Sequence, residues 1–414
     1  MKSSSKSAGP LMEKIEAKIA ESVGTRFAVI CSSARTAIRY SLLALNIGCG
    51  SEVVIPDFAC QILPITVFCV GATPLFCDVD KKTLVLSSDS LEEVLGPKTK
   101  AVIFIHLFGI PVDPSPILEI TQKKGILFID DAAQALGASI NGKSPGAFGD
   151  VGILSFNKFL NVDLGGAVTT NDQELAGKIK VMREKYESSS LLLSLGYRLV
   201  HILGLNSRKI TKMVFWGNNY LYKLSHITLA KKHFREIGGW VKPDQNVLKL
   251  WASNALTPKI SDQLMTYAGR YWHSRKMDRD EILRLGHEFE ELEGYLQNRR
   301  KIARMYEEYL EEGNFKKIDP PQNSISSYMR YPILLNDDRK LLLCVKELGR
   351  AGFIVDYRYK PLHMSPFFGW TSQDFNFSRS TYVSNHILPL PVQPSMSSDN
   401  VKKIASIVNS HSSY

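Results

Sequence analysis

From Arg26 to Asn171 short apolar runs alternate with stretches of helical periodicity. The segments RFAVICSS, EVVIPD, TPLFCDVD, KAVIFIHLFG, ILFIDDAAQ and VGILSF have strand length, and ARTAIRYSLLAL and PSPILEITQKKG between them carry apolar residues at helical spacing. That alternation predicts an α/β domain with a largely parallel central sheet. In such a sheet ligands bind beyond the carboxyl ends of the strands.

The rhythm breaks from about 188 to 255, where SSSLLLSLGYRLVHILGLN leads into a run rich in Lys, Arg and aromatic residues. The segment reads as an insertion. Its apolar part is interrupted by Arg198 and His201 and is shorter than a spanning helix needs, so it fits lying on a membrane surface or covering a site better than crossing. Helical periodicity returns from Asp278 to Glu312 and predicts a helix connecting two domains. A C-terminal α+β domain follows, with strands in SYMRYPILL and FIVDYRY and helices in RKLLLCVKELGRAG and SSDNVKKIASIVNS. The expected division is a large α/β domain over 1–290, carrying the insertion, and a small domain over 291–414.

With 414 residues, 44% hydrophobic and 22% charged, the chain can bury more than one core and is too mixed to be disordered. Its net charge of +10 is local: ten Lys or Arg against two acids lie between Ser188 and Trp251. No nucleic-acid-binding motif accompanies that charge, so an anionic surface or a phosphate-bearing partner is the expected counterpart, not nucleic acid. The six cysteines form no C-x-x-C pair and sit in or beside apolar runs, which fits a reducing cytoplasm; no metal site is expected. The first residues lack the apolar core of a signal peptide or anchor.

Three segments could carry chemistry. In GILFIDDAAQALGA an apolar strand ends in two acids and continues as a small-residue helix start. A buried acid needs a cationic partner, such as a protonated ring nitrogen facing Asp131, with Gln134 one turn on; capping of the following helix by both acids explains the pattern equally well. In ICSSARTAIRYSLLAL, Ser33, Arg35 and Thr36 surround a helix start whose free N–H groups suit a phosphate, and N-capping by Ser32 or Ser33 is the alternative. In GDVGILSFNKFLNVDLGGAVTTND, a strand leads through Ser155 and Lys158, the one lysine of its loop, to the Gly165–Gly166 pair. A lysine beside a cofactor aldehyde can form a Schiff base and later shuttle a proton, whereas most lysines are simply solvated.

Taken in order, with LNIGCGSEVVIPDF, GATPLFCDVD, HLFGIPVD, GAFGDVGILSF, YRYKPLH and LPLPVQPSMSSDNVKKI, these segments resemble the DegT/DnrJ/StrS family of sugar aminotransferases that depend on pyridoxal 5′-phosphate (PLP). The resemblance runs from Glu13 to Lys185 and from Pro258 to the end. It implies the fold of type I PLP enzymes, a homodimer with PLP at the subunit interface, Asp131 on the pyridine nitrogen, Gln134 near the ring oxygen and Ser155 on the phosphate. It implies further that an amino acid, commonly glutamate, supplies the amine and that a keto group of a nucleotide-linked sugar receives it, in the synthesis of a glycan or polysaccharide.

Three positions depart from the family's pattern. Ser33-Ala34-Arg35 stands where the family has Ser-Gly-Thr, and Cys60 stands where an aromatic often stacks on the ring, a place that Phe58 either takes over or leaves unfilled. The family lysine lies five residues after the serine, a place held here by Leu160, while Lys158 comes at three. Either a shorter loop brings Lys158 to the same point, or the chain binds PLP or a sugar nucleotide without transaminating. A lyase or isomerase on the same cofactor is also open. Relatives with histidine in place of the lysine are dehydratases, but this loop has no His, and His106 reads as a structural residue.

Overall fold

The computed structural model describes residues 8–187, 276–311, 313, 315–355, 359–364 and 375–412. The segment expected to be inserted lies outside the described residues, as do Tyr357 and Arg358 of YRYKPLH.

In chain order the first part contains α1 (Ala8–Val23), β1 (Phe27–Cys31), α2 (Ala34–Ala44), β2 (Glu52–Pro56), α3 (Ile62–Cys69), β3 (Thr73–Cys77), α4 (Ser88–Val94), β4 (Thr99–Ile105), α5 (Ser115–Lys123), β5 (Leu127–Asp131), β6 (Ser139–Ile140), β7 (Val151–Ser155), β8 (Gly166–Thr170) and α6 (Gln173–Tyr186). Seven strands form one sheet in the order β1-β8-β7-β5-β4-β2-β3. Strands β3, β2, β4, β5 and β7 pair in parallel, and β8 runs antiparallel to both its neighbours. The strands are apolar almost throughout because helices cover both faces.

One face packs on Met12, Ile15 and Ile19 of α1 together with Ile282, Leu285 and Phe289 of α7 (Arg279–Glu290). The other packs on Leu91 of α4 and Ile117 of α5, against Val54, Val102, Phe104 and Phe128 of the sheet. Next comes α8 (Leu292–Tyr309), whose Leu296 belongs to the first of these cores while Ile302 and Tyr306 belong to a third. The periodicity from Asp278 to Glu312 is thus realised as two helices broken at Glu291, and α8 is the element that joins the cores. Asp278 starts the pair with a reciprocal capping box to Glu281.

The third core lies between α8, a three-stranded antiparallel sheet of β9 (Phe315–Lys317), β11 (Arg330–Leu335) and β12 (Ile387–Pro391), and helices α9 (Asp338–Arg350) and α11 (Ser398–Ser412). Between β9 and β11, β10 (Ser324–Ile325) pairs with β6, and α10 (Ser378–His386) precedes β12. The strand expected in FIVDYRY is not formed in its described residues: Ile354 is 87% exposed, whereas Leu388 and Leu390 of β12 are buried and take the place beside β11. Among the described residues no helix is long and apolar enough to cross a membrane.

Candidate functional site

The helix expected after β5 is replaced by successive turns, with Ala135 N–H on the Ala132 carbonyl and Ala138 N–H on that of Ala135. Gly137 permits this course: its φ is +72°, and a Cβ there would come within 2.2 Å of Leu296. With no helix to cap, the two acids of β5 find other partners. Asp130 is wholly buried and saturated, accepting from Gly146 N–H (2.6 Å) and Phe148 N–H (3.0 Å) on Oδ2 and pairing its Oδ1 with His106 Nε2 (2.9 Å). His106 Nδ1 accepts the Val112 N–H at 3.1 Å, so its proton sits on Nε2 and the ring is neutral. His106 therefore fastens the loop after β4 to β5.

Asp131 is 5% exposed and accepts one hydrogen bond, from Ala133 N–H to Oδ1 at 2.9 Å; its Oδ2 makes none with a described residue. It stands at the carboxyl end of β5, in register with Ile105 of β4 and Ile153 of β7. Burial raises its pKa, and the positive charge of Lys158 is the strongest force in the other direction.

Lys158 reaches this point through a tight turn after β7, in which the N–H groups of Phe159 and Leu160 both return to the Phe156 carbonyl at 3.0 and 2.8 Å. The turn sends Phe159 and Leu160 into the core under α1 and α7, Leu160 being 5% exposed, and leaves Asn157 and Lys158 on the accessible side. The Lys158 side chain can be reached by solvent, yet protein surrounds its ammonium on most sides. That desolvation lowers its pKa, opposed first by Asp131 and then by Cys60.

Ser33 caps α2 from extended backbone, its Oγ accepting Thr36 N–H at 3.2 Å, and the Ala34 N–H donates to no described residue. Gly166 pairs with Cys31 on one side and Ser155 on the other. A Cβ on Gly166 would lie 2.3 Å from Ala34 N, so only glycine lets the start of α2 rest on β8 beside Ser155. The Ser155 hydroxyl bonds Asn157 Oδ1 at 3.1 Å. Arg35 has its pKa lowered by burial and is held up by Cys60 and Cys69. Gln134 is buried and uses Oε1 to accept Phe108 N–H at 3.1 Å, which leaves its amide nitrogen as the donor.

Phe58 is 0% exposed, with its ring edge-on to Tyr359 at 5.7 Å. Cys60, on the same loop, is exposed and lies within electrostatic reach of Lys158 and Arg35. Asp57 was not singled out from the sequence although it ends an apolar strand as Asp131 does. It is buried and takes His363 Nδ1 (2.7 Å), His363 N–H (2.7 Å) and Ser380 Oγ (2.5 Å), tying the C-terminal part to the loop after β2.

A mostly parallel seven-stranded sheet followed by a small α+β layer is the fold of type I PLP-dependent transferases. The chain belongs to the DegT/DnrJ/EryC1/StrS aminotransferase family, which matches residues 1–208 and 269–409. It is 37% identical over 179 residues to GDP-perosamine synthase of Caulobacter vibrioides, covering 43% of this chain and 48% of that protein. It is 41% identical over 172 residues to UDP-N-acetyl-3-dehydro-α-D-glucosamine 3-aminotransferase of Acidithiobacillus ferrooxidans, covering 41% and 47%. Each match thus spans about half the length of the curated relative. The crystal structure of a family aminotransferase from Brucella abortus superposes with a TM-score of 0.70 at 22% identity, over 98% of this chain and 91% of that one.

Proposed function

We propose that this protein is a PLP-dependent aminotransferase that moves an amino group from an amino-acid donor, glutamate in the first instance, to a keto group of a nucleotide-linked sugar. The observation that carries the reading is the buried Asp131 carboxyl at the end of β5, with one oxygen unbonded to any described residue, beside the strand β7 that leads into the turn bearing Lys158. A buried carboxylate with one oxygen unbonded to any described residue suits a protonated ring nitrogen, and the unpaired Ala34 N–H at the start of α2, with Ser33 and Ser155 nearby, suits a phosphate. The residues present fit PLP on these grounds. The two relatives named for amino-sugar chemistry support the substrate class.

When bound, PLP supplies an electron sink for the carbon that loses or gains the amine. The chain's own residues do the rest. Asp131 would face the ring nitrogen, and Gln134 would donate from its amide nitrogen toward the ring oxygen. Ser33, Ala34, Arg35 and Ser155 would hold the phosphate. Lys158 Nζ, with its pKa lowered by desolvation, would be the amine that faces the aldehyde and the group able to take and return a proton there. Leu160, packed in the core, takes no part.

On the same reading, residues 1–290 and 291–414 act as large and small domains, and the protein is a homodimer. The six unpaired cysteines support a cytoplasmic setting. The net +8 of the 188–251 segment supports peripheral contact with anionic lipid, tested by vesicle sedimentation of the intact chain against one lacking that segment; equal, negligible binding by both would end that part.

The test is to incubate the PLP-loaded protein with L-glutamate and a panel of keto nucleotide sugars and to follow 2-oxoglutarate and aminated sugar by mass spectrometry. Stoichiometric 2-oxoglutarate from the glutamate half-reaction alone, followed by amination of a keto sugar, is the expected result. If glutamate gives no 2-oxoglutarate, the other amino acids are tried in turn, and failure of all of them to yield a keto acid would refute the reading.

A further inference from the structure

Arg299, on α8, is 6% exposed and has no carboxylate within ion-pair distance among the described residues. Its guanidinium instead gathers three backbone carbonyls from three segments: Val392 after β12 (Nη1, 2.7 Å), Tyr328 before β11 (Nη1, 3.3 Å) and Lys158 in the turn after β7 (Nη2, 3.2 Å). Its charged centre also lies 5.2 Å from the centroid of the Phe159 ring, the residue next to Lys158. Its Nε donates to no described residue. Burial and the nearby Arg330 push its pKa down to about 10.

A buried cation paired only with carbonyl dipoles is costly, and a long apolar side chain would fill the same volume without that cost. The arrangement does have one local effect. Arg299 grips the turn at both of its consecutive residues, the Lys158 carbonyl and the Phe159 ring. With the backbone held at 158 and the ring held at 159, Lys158 stays on the accessible side of the turn while Phe159 and Leu160 enter the core.

We infer that Arg299 is a positioning residue for Lys158, by which the C-terminal part of the fold sets the orientation of the reactive lysine. The inference rests on Lys158 being the residue that bonds PLP. It separates two ligands of nearly equal shape. PLP bonds the lysine through its aldehyde, whereas pyridoxamine 5′-phosphate (PMP) cannot and uses only the ring and phosphate contacts.

The experiment measures equilibrium affinities for PLP and PMP in the full-length protein, in Arg299→Met, Arg299→Lys and Lys158→Ala, and in the double variant Arg299→Met/Lys158→Ala. Loss of a charge-assisted grip on the turn should weaken PLP binding by about tenfold in Arg299→Met and leave PMP binding within about twofold. Arg299→Lys, which keeps the charge but cannot span three carbonyls, should shift the same ratio in the same direction and serves alone if Arg299→Met does not fold. In the Lys158→Ala background the Arg299→Met change should cost PLP nothing further. Equal losses for PLP and PMP, or an unchanged ratio in the variants that fold, would overturn the inference in favour of a purely structural arginine. If Lys158→Ala itself leaves the PLP to PMP ratio at the wild-type value, the reading of Lys158 is what has failed.

Discussion

His106 donates its Nε2–H to Asp130 Oδ1 across 2.9 Å at full burial, and this bond divides the two consecutive acids of β5 between different tasks. Asp130, with three donors, is spent on holding the loop after β4 and the loop before β7 in place. Asp131 keeps an oxygen that bonds no described residue. Replacing His106 by Ala leaves a buried carboxylate and the Val112 N–H short of partners, and should destabilise the fold by about 3 kcal/mol. Urea unfolding measures this; a loss below about 1 kcal/mol would contradict the structural role.

Asp131→Asn separates ligand chemistry from stability. Burial raises the pKa of this carboxyl, so a neutral isostere is tolerated in the empty fold, and the melting temperature of the cofactor-free protein should hold or rise. Activity should fall by about a hundredfold or more, because an amide cannot keep the ring nitrogen protonated. Parallel thermal melts and steady-state kinetics check both halves.

Leu160 gives a test of the turn. Leu160→Lys restores a lysine five residues after Ser155, but its side chain points into the core under α1 and α7. Burying that ammonium should cost several kcal/mol, and the double variant Lys158→Ala/Leu160→Lys should gain no reducible bond to PLP. Recovery of that bond by the double variant would show that the turn can expose either position.

Glu187 gives a pH dependence. Its Oε1 accepts the Ser32 N–H at 2.9 Å, and burial raises its pKa from 4.5 to about 7, with the Ser32 bonds and Arg183 opposing. A carboxyl raised on folding contributes stability that is complete below its unfolded pKa and is lost as pH rises through its folded value. Wild type should therefore lose about 3 kcal/mol relative to Glu187→Gln between about pH 4.5 and pH 8. Denaturant titrations of both proteins across that range are the check, and parallel stability curves would contradict it.

Much of the sheet was legible because buried parallel strands write themselves as uninterrupted apolar runs: β1, β2, β3, β5 and β7 fall within segments picked out by pattern, and β4 does so but for Thr99. Asp131, Gln134, Ser155 and Lys158 were legible as residues, and the backbone around them was not: a tight turn at 156–160 and successive turns in place of a helix after Asp131. Small residues such as Ala132 and Ala133 look like a helix start, but Gly137 must pass close under Leu296, a constraint from α8 that local sequence does not carry. Ile354 looked like a strand residue by composition; its exposure is decided by β12, which comes from more than thirty residues further on, with Ile387–Pro391 pairing to β11. Arg299 gave no signal at all, because a guanidinium that binds carbonyls leaves no mark in the pattern of charges.

The central claim is that Lys158 bonds PLP opposite Asp131. Borohydride reduction of the PLP-loaded protein, followed by peptide mass mapping, tests it directly. The account predicts a single label, on Lys158, which disappears in Lys158→Ala. A label on another lysine, or a bound cofactor that becomes fixed to none, would contradict it.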